Sequence, residues 1–240
     1  MPKRIALVAL PALFACAPVV THGPRVEPGT TVTGNFGVPA LECGKGNGCN
    51  TGIAPSFSFG VRRGWVPDSA RAPSFLLGLS LPVFDPVAPE LDAYVQAPAP
   101  GMFAAGAGAL ASPHHVEPYV EAGFSRPNGD GWFATAGYAW LFADPRSYIL
   151  NEQPRMKEPP RYWAPGVGFH GHVLGRNLTA YASGALGRYV DRELASTPDG
   201  RTDTTIVRKN VRMLVIGVSG QLDPGRIWPL PFPPPIPYPR

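Results

Sequence analysis

Apolar residues recur at every second position in ten separate stretches of this chain, a period that fits extended strands with two unlike faces and does not fit a helix. Within residues 53–63, Ile53, Pro55, Phe57, Phe59 and Val61 alternate with Ala54, Ser56, Ser58, Gly60 and Arg62. The pattern returns at Phe75, Leu77, Leu79, Leu81 and Val83, and again at Leu91, Ala93, Val95 and Ala97 against Glu90, Asp92, Tyr94 and Gln96. A fourth clear case sets Val116, Pro118, Val120, Ala122 and Phe124 against Glu117, Tyr119, Glu121, Gly123 and Ser125. Less regular stretches at 30–37, 101–111, 131–142, 162–174, 178–191 and 204–222 complete the ten. No segment keeps a 3.6-residue period between caps. With 28 glycines and 31 prolines among 240 residues, few windows are left for long helices. The 44% hydrophobic and 10% aromatic content nevertheless supports a folded domain. Charged residues make up only 16%, and a net charge of +4 provides no basic footprint for nucleic acid, which is not expected as a partner.

The N-terminus has its own logic. Lys3 and Arg4 precede an apolar run over residues 5–15, the layout of a secretory signal peptide, and the run is too short to cross a bilayer as a helix. Leu13-Phe14-Ala15-Cys16 resembles the lipobox of bacterial lipoproteins. The resemblance implies that Cys16 carries lipid as the first mature residue and that Ala17 after it favours sorting to the outer membrane. Ordinary cleavage after Ala17 is the competing reading. Of the three cysteines, Cys43 and Cys49 flank a glycine-rich loop and are the expected disulfide of an oxidising compartment.

An even number of strands, most of them longer than the soluble norm of about 5 or 6 residues, suits a transmembrane barrel. Loop lengths agree, because the connections 38–52, 84–89, 112–115, 143–161 and 192–203 are on average longer than the turns 64–73, 98–100, 126–130 and 175–177 at the other end. Aromatic residues gather at two levels, Trp65 and Trp132 at one and Trp140, Phe142, Tyr162, Trp163 and Tyr189 at the other. Over residues 29–223 the chain resembles a small bacterial outer-membrane β-barrel. The resemblance implies an all-β, closed, antiparallel up-and-down barrel of about ten strands in contact with outer-membrane lipid. The expected divisions are a signal peptide at 1–15, a lipid-anchored linker at 16–28, the barrel at 29–223 and a proline-rich extended tail at 224–240. Pro55, Pro82, Pro118 and Pro165 fall inside expected strands, and each implies a bulge or a strand end. The tail should be largely polyproline II and is a candidate to meet a periplasmic or cell-wall partner.

Chemistry-bearing motifs are sparse. The sequence has no H-E-x-x-H, G-x-S-x-G or P-loop, so neither catalysis nor a cofactor is expected. Residues 166–171 match G-x-G-x-x-G, yet they continue as an extended stretch, where no helix N-terminus could receive a phosphate. His170 and His172 share a strand face and are candidates for a metal pair with Glu117 or Glu121 as a third ligand; the alternative is two polar residues facing a hydrated interior. Glu90, Asp92, Glu117 and Glu121 lie on polar faces, and Arg62, Arg188, Arg208 and Arg212 are candidates to answer them in a lumen ion-pair network. The alternative is that several of these charges are solvated at strand ends.

Two functional readings follow. One is an outer-membrane barrel lipoprotein with a structural or surface-exposed role and no catalysis. The other is a lipid-anchored soluble periplasmic β-barrel or sandwich that binds a small apolar ligand or a protein. They differ in which face of each strand points inward, and alternation alone does not choose.

Overall fold

The computed structural model describes residues 22–43, 49–50, 56–69, 71–82, 89–98, 101–113, 115–126, 128–142, 156–173, 176–196 and 202–222. These form β1 (Gly29–Cys43), β2 (Cys49–Asn50), β3 (Ser56–Trp65), β4 (Ser74–Pro82), β5 (Glu90–Gln96), β6 (Phe103–Ala111), β7 (His115–Ser125), β8 (Gly131–Leu141), β9 (Met156–Val173), β10 (Arg176–Ser196) and β11 (Thr202–Leu222). From β3 to β11 every strand pairs antiparallel with the next, β1 pairs with β3, and the circuit closes between β1 and β11. The result is a closed ten-strand up-and-down barrel. The two-residue β2 is an addition the alternation did not disclose; it pairs with the end of β1 and sets Cys49 directly opposite Cys43.

Closing the ring gives the two strand faces an inside and an outside, and the structure turns the apolar one outward. On β4, Phe75, Leu77, Leu79 and Leu81 are exposed while Leu76 and Gly78 are buried. Phe103 is 72% and Trp132 65% exposed, whereas Glu117 and Glu121 are 2% and 3% exposed. A soluble barrel would have the reverse arrangement, since large apolar patches in water are disfavoured and buried carboxylates are costly. Ten-residue strands tilted by about 40° span about 25 Å, the height of an apolar membrane belt.

Prolines fit at a local loss of pairing. Pro82 ends β4. At Pro118 the ladder to β8 steps from Val116–Trp140 to Tyr119–Gly137, and beside Pro165 the ladder to β10 steps from Trp163–Leu186 to Gly166–Ser183, in both cases without a change of register. The bulge in β1 falls between Pro39 and Leu41, and Pro55 lies outside the described residues. The strands β9, β10 and β11 are longer than the sequence pattern gave, and β10 and β11 stay paired out to Ser196 and Thr202.

The outward face gives a direct test. Leu79 lies in the middle of β4 between Val61 and Leu91. Leu79→Arg is expected to weaken reversible folding into lipid vesicles by about 2–4 kcal/mol, as for a charge at the bilayer midplane. A change within about 0.5 kcal/mol, normal for a water-facing site, would contradict lipid exposure.

Candidate functional site

The lumen is filled by side chains that cross over β6. Its inward positions Gly106 and Gly108 carry no side chain, and a Cβ on either would collide with the rings of Tyr94 and Tyr119. Those two rings, on β5 and β7, therefore lean across β6 and stack with centroids 6.0 Å apart and planes 3° from parallel. The Tyr119 hydroxyl donates to Asp92 Oδ1 on β5 at 2.8 Å, and the Tyr94 hydroxyl lies 3.5 Å from Glu121 Oε1 on β7. Each tyrosine thus answers a carboxylate of the other strand, while Glu121 Oε2 is left without a hydrogen bond. Arg62 projects from β3 over Gly78 into the field of Asp92 and Glu90. Farther along β7, Glu117 packs against Gly137 with its Oε2 free of hydrogen bonds, and His115 accepts or donates through Nδ1 to Ser112 Oγ at 2.8 Å. His115 Nε2 lies 3.5 Å from Glu90 Oε2.

A second component enters from the chain itself. Residues 22–28, expected as part of a linker, run inside the barrel at the mouth that carries the short turns. His22 is buried, with its Nε2 3.0 Å from the Tyr119 hydroxyl, its ring 4.5 Å from that of Tyr94, and its Nδ1 3.6 Å from Glu121 Oε2. Pro24 is fully buried against Gly123. Arg25 donates to the Gly101 carbonyl, and the Val26 amide donates to Gln96 Oε1 at 3.0 Å. Glu27 accepts from Asn177 Nδ2 at 2.9 and 3.0 Å and lies 3.4 Å from His170 Nε2. Gly64 gives the segment room, because a Cβ there would strike the Glu27 carbonyl. Gly29, at φ +99°, turns the chain back into β1. The strap thereby touches β3, β5, β7, β9 and β10 and stoppers one mouth. Beside it, a small solvent-open cleft of about 60 Å³ is lined by Arg62, Thr33, Thr179, Ser219 and Gln221.

The remaining sequence candidates divide. Asp92, Glu117 and Glu121 are buried in the lumen with Glu90 half-buried beside them. Arg188 and Arg212 do not join them: both are exposed and fall on the outward positions of β10 and β11. Arg208 lies in β11, and its side chain is outside the described residues. His170 is buried on Thr179 Oγ1 at 2.8 Å, while His172 is exposed on Asp130 Oδ1 at 2.9 Å, their rings 6.4 Å apart. The hydrogen bond from His172 holds Asp130 below its ordinary range. Among the described residues no group of three or more His, Cys, Asp and Glu is placed to hold a metal ion. Cys16 and the tail lie outside the described residues.

Tyr94 and Tyr119 were legible as polar-face members of their alternating stretches. Gln96 was legible in the same way, whereas His22 and the rest of the strap had no such signal, because residues 22–28 have no period to read.

Two outcomes are expected. Tyr119→Phe strips Asp92 and His22 of a hydrogen bond each and should destabilise the barrel by about 1–3 kcal/mol in denaturant unfolding; no change would remove the lumen network from the account. Glu27 is held below its ordinary 4.5, first by the His170 hydrogen bond, against the opposing effect of burial. Its contribution is therefore present above that ordinary value and is lost as the pH falls through the lowered one. Hydrogen-exchange protection of residues 22–28 should drop on acidification, and in Glu27→Gln it should be weak already at pH 7; equal protection in both proteins would contradict this anchoring.

No protein-family model matches the sequence, and no curated protein matches it. Among solved structures, the chain is similar to the outer membrane protein AlkL, determined by solid-state NMR in DMPC lipid bilayers. The identity is 11%, with 86% of this chain and 95% of that chain covered and a TM-score of 0.34. A superposition that loose carries no argument about function.

Proposed function

We propose that this chain is an integral outer-membrane β-barrel with a structural or surface-presenting role and no catalysis, its lumen closed by its own side chains and by residues 22–28. The observation that carries the reading is the inversion of faces, with apolar side chains around the outside and Asp92, Glu117, Glu121 and Tyr119 within. The soluble alternative needs an apolar interior to hold an apolar ligand, and this interior is polar at mid-height. The short turns 97–102, 126–130 and 174–175 favour the periplasm for the stoppered mouth. The opposite rim is tall on one side, where β10 continues ten residues from Leu186 to Ser196, about 30 Å of strand. That rim is what such a protein would present to the cell exterior.

Three further parts of the reading concern covalent and tail features. An acyl group on Cys16 would add a second anchor, six residues and at most about 20 Å of extended chain from His22. A Cys43–Cys49 disulfide would clamp the outer end of β1, a pairing supported by their opposed backbone positions. The proline-rich residues 224–240 would extend into the periplasm toward a cell-wall or protein partner.

In planar bilayers the wild-type protein is expected to insert without stepwise conductance. A variant lacking residues 22–27 should insert equally and leak small ions. Stepwise channels in the wild type would contradict the closed lumen, and recovery of the exported chain as a soluble periplasmic monomer would contradict the membrane barrel.

A further inference from the structure

The outer wall carries a cluster that the lumen does not use. Arg161 on β9 lies directly opposite Arg188 on β10, and Arg212 on β11 lies opposite Leu186, one outward position from Arg188. All three are exposed, and all occupy the outward positions of their strands. Beside them β8 supplies Trp140, opposite Arg161, and Tyr138, opposite Trp163. The Tyr138 ring packs edge-on against Trp140 and Trp163, each with centroids 4.9 Å away. Toward the middle of the wall the same strands continue as Val167, Ala182, Leu214, Ile216 and Val218, with no charge among them. The sector therefore reads, from the bilayer centre outward, as aliphatic, then aromatic, then arginine.

Two arginines directly opposed on neighbouring strands repel one another. Among the described residues, none of the three arginines forms an ion pair. A juxtaposition of that kind is relieved by an anion lying between the cations, and guanidinium groups match phosphate oxygens bidentately. The level of the cluster, immediately beyond the aromatic girdle, is the headgroup level of a membrane. We propose that Arg161, Arg188 and Arg212 form an external site for a phosphorylated lipid headgroup of the outer leaflet, with the acyl chains lying against Trp163, Leu186 and Leu214. This inference rests on the membrane-spanning reading above. The site is on the wall and separate from the lumen, so it needs no opening of the barrel. Bound lipid there would bias the barrel's depth and rotational setting in the leaflet.

The test uses the full-length protein purified in a zwitterionic detergent and titrated with diphosphorylated lipid A, with the same glycolipid after phosphate removal, with phosphatidylcholine and with inorganic phosphate. Retained lipid is counted by native mass spectrometry. The wild type should keep the diphosphorylated lipid in preference to the other two lipids. R161Q/R188Q/R212Q should lose that preference, by about fivefold for each arginine removed. Arg63→Gln, at the opposite end of the belt where Arg63 lies over Trp65, should keep it. Heat-modifiable migration of every variant reports insertion independently, so loss of lipid with the barrel intact bears on this site alone, and loss of the barrel itself bears on the membrane reading. If the triple variant does not fold, R188Q alone carries the test, with a loss of about fivefold expected. Equal retention by variant and wild type, or equal retention of the dephosphorylated lipid, would overturn the proposal. So would displacement of the lipid by inorganic phosphate at concentrations comparable to the lipid's own, which would make the cluster a free-anion site.

Discussion

The ladder between the first and last long strands is the interaction on which the rest of the structure depends. It runs from Val32 opposite Leu222 to Glu42 opposite Met213, and without it β1 and β11 would each present an open edge. In hydrocarbon an open edge is not tolerated, because no water is present to satisfy the free amides and carbonyls. Alternation leaves open which face points inward, and burial in the closed ring answers it. A ring of ten strands has one inside, and here it holds Asp92, Glu117, Glu121, Thr33, Thr179, Ser219 and the rings of Tyr94 and Tyr119. The large apolar residues Phe57, Phe59, Leu77, Leu79, Phe103, Trp132 and Ile216 form the outer wall, the arrangement on which the proposed membrane setting rests.

Inside, economy of space governs chemistry. The sequence of β6 places glycine at two adjacent inward positions, and the room they leave lets tyrosines from β5 and β7 exchange hydrogen bonds with each other's carboxylates. Buried carboxylates are costly when unpaired, so such a lumen must be built as a connected set. His22 is the member that ties residues 22–28 into that set through Tyr119 and Tyr94. The strap and the lumen are thus parts of one network, and the plug is continuous with the wall it closes. On the outside, Arg161, Arg188 and Arg212 form no ion pair among the described residues, which is where the proposed headgroup site lies.

The fold was largely legible, because strands of an up-and-down barrel are local objects whose two faces differ. Phe75 to Leu81 and Val116 to Phe124 disclose their strands by alternation alone. Strand ends were harder: residues 156–161 and 192–196 continue β9 and β10 where charge and proline obscure the period, and backbone pairing to a neighbour extends them. The lumen site was half legible. Asp92, Glu117 and Glu121 could be assigned to one face of their strands, but a period of two assigns residues to faces and does not pair them across β6. Arg188 and Arg212 were matched to the acids by charge, and the register puts them on the outer face instead. Nothing in residues 22–28 distinguishes a strap from a linker, since its place is set by holes at Gly64 and Gly123 that exist only after the barrel has closed.

The most direct test of the account is a scan of spin labels along β11 in lipid bilayers, recording collision with oxygen, which favours lipid, against a water-soluble nickel complex. Labels at Leu214, Ile216 and Val218 should collide with oxygen, and labels at Val215, Ser219 and Gln221 should not, giving a period of two through the strand that closes the ring. An inverted period, or equal access on both sets of positions, would contradict a closed barrel with its apolar face in lipid.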